Sequence, residues 1–154
     1  SIQKNLHLGT VSVGDEELWK LLEDLSFDRS LMEERGGLET RLGERGLNLS
    51  GGQKQRISLG RALLRKRDVY LFDDLFSHVD AETESKLLVA LKKRLPESST
   101  VVLVSQRLET LRQCSSVLIM KRGGLEFFGA SEEAFRQSTF LNELESIQPY
   151  GMIS

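Results

Sequence analysis

The sequence has little cysteine, little proline and no marked excess of charge of either sign. Its single cysteine, Cys114, excludes a disulfide framework and a cysteine-based zinc site, and it indicates a reducing compartment. The 21 basic and 23 acidic residues give a net charge of −2, which argues against a nucleic-acid partner held by bulk charge. With two prolines and no low-complexity tract, the sequence shows no linker that would divide the chain.

Long hydrophobic runs are also missing. The longest apolar runs, such as Val101–Val104, have four or five residues, whereas a membrane-spanning helix needs about 20. The 154 residues match the length of one ordinary domain, which can bury a hydrophobic core without a disulfide or metal staple. Glycine is present but unevenly placed, because seven of the 13 glycines fall between Gly36 and Gly60.

The first 66 residues are predicted to be helix and loop. Apolar side chains recur at helical spacing after Asp15, which is expected to cap that helix. They are Leu18, Trp19, Leu21, Leu22 and Leu25. A short helix is expected at 28–34, then a loop rich in glycine and charge at 35–48, and a longer helix over 50–66.

The pattern changes at residue 69. Two short apolar runs, Val69–Phe72 and Thr100–Val104, have the profile of buried parallel strands. The further expected elements are a helix at 81–94 capped by Asp80, a short helix at 108–113, a hairpin of strands at 116–120 and 125–128, and a helix at 131–147. Strands that alternate with helices predict an α/β fold with a mainly parallel sheet. We expect a helical subdomain at 1–66 and an α/β part at 67–154.

The segment Leu49–Gln53, with the sequence Leu-Ser-Gly-Gly-Gln, stands at the start of the longer predicted helix. One interpretation is a capping box, in which Ser50 accepts from the N–H of Gln53 and the Gln53 side chain returns to the backbone of Ser50. That leaves Gly51 and Gly52 unexplained, since each glycine costs a helix about 1 kcal/mol relative to alanine. Two bare glycines would suit a phosphate that approaches the positive end of the helix.

Two carboxylates, Asp73 and Asp74, follow the first predicted strand. Ligands of α/β sheets bind at the carboxyl ends of the strands, so Asp73 is placed to hold Mg²⁺ directly or through water. Asp74 is placed to orient or deprotonate a water molecule. The alternative is that both are strand-end residues without a chemical role.

These motifs, in this order, resemble those of the ATP-binding cassette (ABC) family. Leu49–Gln53 resembles its signature, and Val69–Asp73 resembles its Walker B strand. The other similar segments are Thr40–Gly46 (the X-loop of exporter-type members), Ser77–Asp80 (the D-loop), Val104–Leu108 (the H-loop) and Gly124–Phe135 (a stretch near the end of the domain). The resemblance covers nearly the whole chain and implies part of an ABC ATPase domain, which has a P-loop NTPase fold.

The resemblance implies ATP and Mg²⁺ as ligands, and a second ABC nucleotide-binding domain as partner. Family members pair head to tail, so that the signature of one subunit covers the ATP of the other. The residues implied to contact ATP are Ser50, Gly51, Gly52, Gln53 and Asp80, and Asp73 is the implied metal ligand. Glu44 would lie near the coupling helices of a transmembrane domain, the alternative being a solvated loop carboxylate. The implied location is the cytoplasmic face of the cell membrane.

Two departures from the family pattern fall on the catalytic positions, Asp74 and Gln106. Hydrolysing sites carry glutamate where Asp74 stands, and a carboxylate displaced by about 1 Å can lower the rate about 10²-fold. Gln106 replaces the family's histidine; it can hydrogen-bond a phosphate oxygen but cannot carry a proton. An intact signature beside a weakened site resembles one subunit of a heterodimeric exporter, whose signature completes the partner's competent site.

No G-x-x-x-x-G-K-[ST] phosphate loop occurs in the 154 residues. The family places that loop before the helical region, so the chain, which begins at Ser1, is expected to start part-way through the domain. By itself it is expected neither to bind ATP measurably nor to hydrolyse it, because most phosphate contacts are missing. The alternatives to an exporter are a soluble ABC-family ATPase without membrane domains and a non-functional fragment.

Overall fold

The structure is a computed structural model that describes residues 1–8, 12–42 and 48–147. The chain divides into two compact units, Ser1–Val104 and Ser105–Ser154. The division after residue 66 that the motifs predict is a different one and stays a prediction. No helix in the described ranges is long and apolar enough to cross a membrane.

The first unit packs helices around a leucine-rich core. Its elements are α1 (Ile2–Leu6), α2 (Asp15–Asp24), α3 (Arg29–Glu33), a short 3-10 helix (Gly37–Glu39), α4 (Gly51–Leu63), β1 (Val69–Asp73), α5 (Ala81–Arg94) and β2 (Thr100–Val104). The five side chains predicted to form the apolar side of α2 are all buried, which confirms that prediction: Leu18, Trp19, Leu21, Leu22 and Leu25. They belong to a core that also includes side chains of α4, β1 and α5.

The starts of α2 and α3 differ in how they are capped. Asp28 caps α3 by accepting from the N–H of Leu31 at 3.0 Å. The sequence predicted that Asp15 caps α2, and this prediction is wrong. Gly14 is the N-cap residue and makes no side-chain hydrogen bond there, and Asp15 is the first helical residue. Asp15 still stabilises α2, because a carboxylate in the first turn complements the positive end of the helix dipole.

β1 and β2 form a parallel pair in which Val69 lies opposite Thr100 and Asp73 lies opposite Val104. The predicted parallel pairing is confirmed, but the prediction that both strands are buried is wrong. Tyr70 points into the core, whereas Leu71, on the other face of the same strand, is 75% exposed. Successive strand side chains point to opposite faces, and only one face of this two-stranded sheet is packed within the described residues.

The second unit consists of short helices and a β-hairpin. Its elements are α6 (Leu108–Arg112), β3 (Ser116–Lys121), β4 (Gly124–Ala130), α7 (Ser131–Gln137) and α8 (Thr139–Ile147). β3 and β4 pair antiparallel, which confirms the predicted hairpin. The single helix predicted over 131–147 is instead two helices, because Ser138 is extended and accepts the N–H of Leu141 on its hydroxyl oxygen at 3.2 Å.

Candidate functional site

α4 begins with the capping box that was one of the two interpretations of the segment Leu49–Gln53. The N–H of Gln53 donates to Ser50 Oγ at 3.2 Å, and the N–H of Ser50 donates to Gln53 Oε1 at 2.9 Å. Two backbone donors at the N-terminus of α4 are therefore satisfied within the chain. Gly51 lies exposed in the same turn.

The two glycines of this turn have a steric reason that the sequence did not reveal. A Cβ atom built on Gly52 would lie 2.6 Å from the carbonyl oxygen of His78. A Cβ atom on Gly51 would lie 3.3 Å from Cδ2 of the His78 ring. The sequence indicated that something approaches these glycines closely, and within the described residues that neighbour is His78.

Asp73 and Asp74 lie at the carboxyl end of β1, as predicted, and both are exposed. The N–H of Asp74 donates to the carbonyl oxygen of Val104 at 3.2 Å, which continues the pairing with β2 by one residue. The backbone of Asp74 then turns sharply, with φ of +50°. Few residues other than glycine adopt this left-handed conformation, and aspartate is one that tolerates it.

A side chain from α4 reaches this turn. Nε2 of Gln55 donates to the carbonyl oxygen of Asp74 at 3.2 Å and to Ser77 Oγ at 2.8 Å. Ser77 Oγ donates to the same carbonyl oxygen at 3.2 Å and lies 2.8 Å from Nδ1 of His78. All of these groups are satisfied when His78 carries its proton on Nδ1, because Ser77 Oγ then accepts two hydrogen bonds and donates one.

Asp80 caps α5, as the sequence predicted. Its Oδ1 accepts from the N–H of Thr83 at 2.8 Å, and its Oδ2 accepts from Thr83 Oγ1 at 3.0 Å. The hydrogen bond from the backbone of Thr83, followed by the one from its side chain, lowers the pKa of Asp80 below its ordinary value. The carboxylate is therefore ionised at neutral pH and oriented by α5.

Gln106 is an exposed residue of the second unit, two positions before α6. Glu44 lies outside the described residues. Asp73, in contrast, suits the predicted metal ion: it is an exposed carboxylate at the carboxyl end of a strand, and Mg²⁺ prefers carboxylate and phosphate oxygens. In the described ranges no group of three or more His, Cys, Asp or Glu side chains could hold a metal ion.

Comparison with known proteins agrees with this arrangement. Residues 2–77 match the family described as ABC transporter. The chain is 45% identical over 106 residues to ABC transporter C family member 7 of Arabidopsis thaliana, covering 69% of this chain and 7% of that protein. It is 28% identical over 148 residues to the ABC transporter ATP-binding protein YwjA of Bacillus subtilis, covering 96% of this chain and 26% of that protein.

The chain belongs to the ABC transporter family.

A solved structure has a similar fold over the whole of this chain. A bacterial Atm1-family ABC exporter solved with ATP bound superimposes with a TM-score of 0.82 and 24% sequence identity, covering 100% of this chain and 27% of that one. The α/β fold predicted from the sequence, that of a P-loop NTPase of the ABC type, is thereby confirmed. The ABC chain described here spans about a quarter or less of the length of these relatives.

Sequence reasoning missed two sets of contacts in the ABC chain. Nη1 of Arg56 donates to the carbonyl oxygens of Ser26 at 2.6 Å and Leu25 at 3.2 Å, and its guanidinium lies 4.6 Å from the Phe27 ring centroid. Some 30 residues separate Arg56 from these partners. Helical spacing relates residues three or four apart, so it carries no signal for such a contact.

The second missed set is a cluster of charged residues between α2 and α5. Asp24 accepts from Lys93 Nζ at 2.9 Å and from Arg94 Nε at 2.6 Å, and Glu17 accepts from Arg94 Nη1 at 2.8 Å. Partial burial opposes ionisation of Asp24, but the hydrogen bonds from Lys93 and Arg94 and the positive charges of these two residues together outweigh it and hold its pKa below the ordinary value. The sequence did show the basic end of α5, but as a complement to the helix dipole and not as a partner of α2.

Proposed function

We propose that this chain is part of the ATP-binding subunit of an ABC exporter. In this proposal it pairs head to tail with a second ABC nucleotide-binding domain, and ATP binding and hydrolysis at that interface drive transport across a membrane. The observation that carries the proposal is an arrangement in the first unit: α4, which begins at the capped signature turn of Ser50, is joined through Gln55 to the turn that follows Asp73 at the carboxyl end of β1. Each presents polar groups suited to phosphate or to Mg²⁺.

The proposed roles follow from these positions. Ser50, Gly51, Gly52 and Gln53 would contact the ATP of the partner domain, with the positive end of the α4 dipole adding favourable potential. Asp73 would hold Mg²⁺, which when bound neutralises charge on the phosphates. Asp80 would stand at the same interface.

We further propose that the ATP site to which Asp74 belongs is impaired. An aspartate side chain is one methylene shorter than the glutamate that hydrolysing members carry, so its carboxylate would reach the water only if the backbone moved. The backbone of Asp74 is held by Val104 on its N–H and by Gln55 and Ser77 on its carbonyl oxygen, which opposes such a movement. In the family pattern Gln106 also replaces the histidine of that site, and the heterodimer partner would supply the competent site.

The test compares two substitutions in the full-length transporter assembled with its partner. Ser50→Arg should abolish ATP hydrolysis, because a long cation would fill the signature turn that completes the competent site. Asp74→Ala should lower the rate less than about twofold, since its own site already lacks the glutamate. The matched control is Ser58→Arg, an exposed position further along α4, which should leave the rate unchanged. Equal losses from Ser50→Arg and Asp74→Ala would contradict the proposed asymmetry.

The membrane partner is a separate part of the proposal. Thr40–Gly46 resembles the X-loop of exporter-type members, and Glu44 would contact coupling helices at the cytoplasmic face of the membrane. Glu44→Ala should lower transport more than it lowers ATP hydrolysis. Recovery of the full-length protein in the soluble fraction would favour the alternative of a soluble ABC-family ATPase.

A further inference from the structure

We propose that Gln55 is a positioning residue that ties the signature helix α4 to the backbone of Asp74 and thereby couples the two ATP sites to which one chain contributes. The consequence for ATP rests on the proposed function, whereas the tie itself rests on the structure of the first unit. Gln55 lies one turn into α4, and its partners Asp74 and Ser77 lie 19 and 22 residues further along the chain.

The chemistry of the contact requires the donor end of the amide. A carbonyl oxygen only accepts hydrogen bonds, so the atom that faces the carbonyl oxygen of Asp74 at 3.2 Å is Nε2. The same nitrogen donates its second proton to Ser77 Oγ at 2.8 Å. Oε1 of Gln55 is buried and has no hydrogen-bond partner among the described residues, so Nε2 makes the amide's hydrogen bonds there.

The carbonyl oxygen of Asp74 lies at a strained place in the backbone. Asp74 has φ of +50°, a conformation that persists in residues other than glycine when surrounding contacts over-determine it. Three donors converge on its carbonyl oxygen: Gln55 Nε2, Ser77 Oγ at 3.2 Å and the N–H of Ser77 at 3.4 Å. Of these, only Gln55 comes from outside the turn, so it links the strained turn to another element.

A second contact runs in parallel. The carbonyl oxygen of His78 lies against Gly52, so close that only glycine fits, and the His78 ring contacts Ser77 Oγ. The first turn of α4 and the turn after β1 therefore meet through a hydrogen bond at Gln55 and a steric contact at Gly52. A displacement of one turn is passed to the other. In a head-to-tail pair, these two turns would face different ATP molecules.

The first experiment measures backbone hydrogen exchange in the full-length protein without nucleotide. Gln55→Met keeps the length of the side chain and removes its donor, so amides 75–79 should exchange about tenfold faster after the loss of two hydrogen bonds. Gln55→Glu keeps the shape of the side chain but turns an acceptor toward the carbonyl oxygen of Asp74. In this variant amides 75–79 should exchange at least as fast as in Gln55→Met. Ser77→Ala removes the Ser77 Oγ contacts with Gln55, the carbonyl oxygen of Asp74 and His78, and should increase the exchange of these amides at least as much as Gln55→Met.

The matched control for these variants is Lys54→Met, an exposed position next to Gln55 on α4, which should exchange like the wild type. Unchanged exchange in both Gln55 variants would overturn the proposal. Wild-type exchange in Gln55→Glu alone would also overturn it, because shape and not the donor would then be responsible.

The second experiment measures the ATP dependence of hydrolysis by the complete transporter. A Hill coefficient above one is expected for the wild type and for Lys54→Met, falling toward one in Gln55→Met. An unchanged Hill coefficient in Gln55→Met, or a wild-type value of one, would overturn the coupling. A wild-type protein that does not hydrolyse ATP would refute the proposed function instead, while the exchange measurement would still decide whether Gln55 holds the turn.

Discussion

The carbonyl oxygen of His78 lies where a side chain on Gly52 would have to be, 2.6 Å from the position of a Cβ atom. The glycine pair of an ABC signature is easily attributed to the nucleotide alone. In this chain Gly52 also allows the turn that follows β1 to pack against the first turn of α4. Because the obstacle is a backbone atom, no change of rotamer relieves it.

Gly52→Ala should lower the free energy of unfolding of the complete nucleotide-binding domain by about 1–3 kcal/mol, the usual cost of overpacking. Differential scanning calorimetry measures the effect. Gly51→Ala is the matched control, since its Cβ would meet only the His78 ring at 3.3 Å, and that ring can rotate away. The added variant His78→Ala should not rescue Gly52→Ala, because the carbonyl oxygen remains. Rescue would show that the His78 ring, and not the backbone, is the obstacle.

Ser50→Ala should lower the stability by about 1 kcal/mol, because the N–H of Gln53 loses its acceptor at the start of α4. Gln53→Ala removes the reciprocal bond, and the double variant should cost less than the sum of the two single variants. Ser50→Asp keeps the cap and should keep the stability, whereas it should lower ATP hydrolysis through repulsion of phosphate. Equal stabilities of Ser50→Ala and the wild type would show that the capping box contributes nothing.

Arg56→Leu should lower the stability by about 1.5–3 kcal/mol, because the carbonyl oxygens of Leu25 and Ser26 lose a charged donor. The stability of Arg56→Lys should lie between those of Arg56→Leu and the wild type, because an ammonium group can still donate to a carbonyl oxygen but lacks the planar guanidinium that stacks on Phe27. Chemical denaturation of the complete domain checks the order. Lys54→Leu, an exposed change on the same helix, should stay within about 0.5 kcal/mol; a similar loss there would point to a general effect on α4.

The contribution of Asp24 to the free energy of unfolding should decrease as the pH falls. Partial burial opposes the ionisation of Asp24, but the hydrogen bonds and positive charges of Lys93 and Arg94 outweigh it, so the pKa of Asp24 is lower in the folded state than its ordinary value. The folded state therefore binds fewer protons, and the stabilisation is complete above the ordinary pKa and lost as the pH falls through the lower one. The difference in stability between the wild type and Asp24→Asn should be constant above about pH 5 and shrink below about pH 4.

The control for Asp24 is an exposed ion pair of α5. Lys86 Nζ lies 2.7 Å from Glu82 Oε1 in a solvated i, i+4 pair, which should contribute no more than about 0.5 kcal/mol. Lys86→Met should therefore change the stability little, whereas Arg94→Met, which leaves Asp24 and Glu17 without the guanidinium, should lower it clearly. Equal effects of the two variants would contradict a structural role for the cluster.

The elements that the sequence predicted well are those with a local cause. The capping box at Ser50, the cap at Asp80 and the apolar side of α2 depend on residues a few positions apart, which a linear pattern displays. Two local predictions were wrong. Gly14, and not Asp15, is the N-cap residue of α2, and the extended backbone of Ser138 divides the last predicted helix in two.

The sequence by itself determined the family and the order of the motifs, because these are properties of residue type and spacing. Only the tertiary structure decided which groups meet. It joined Gln55 to the strained turn at Asp74 and placed the His78 carbonyl against Gly52. Contacts between residues 19 or more positions apart depend on how the chain folds back on itself, and no local pattern records that path.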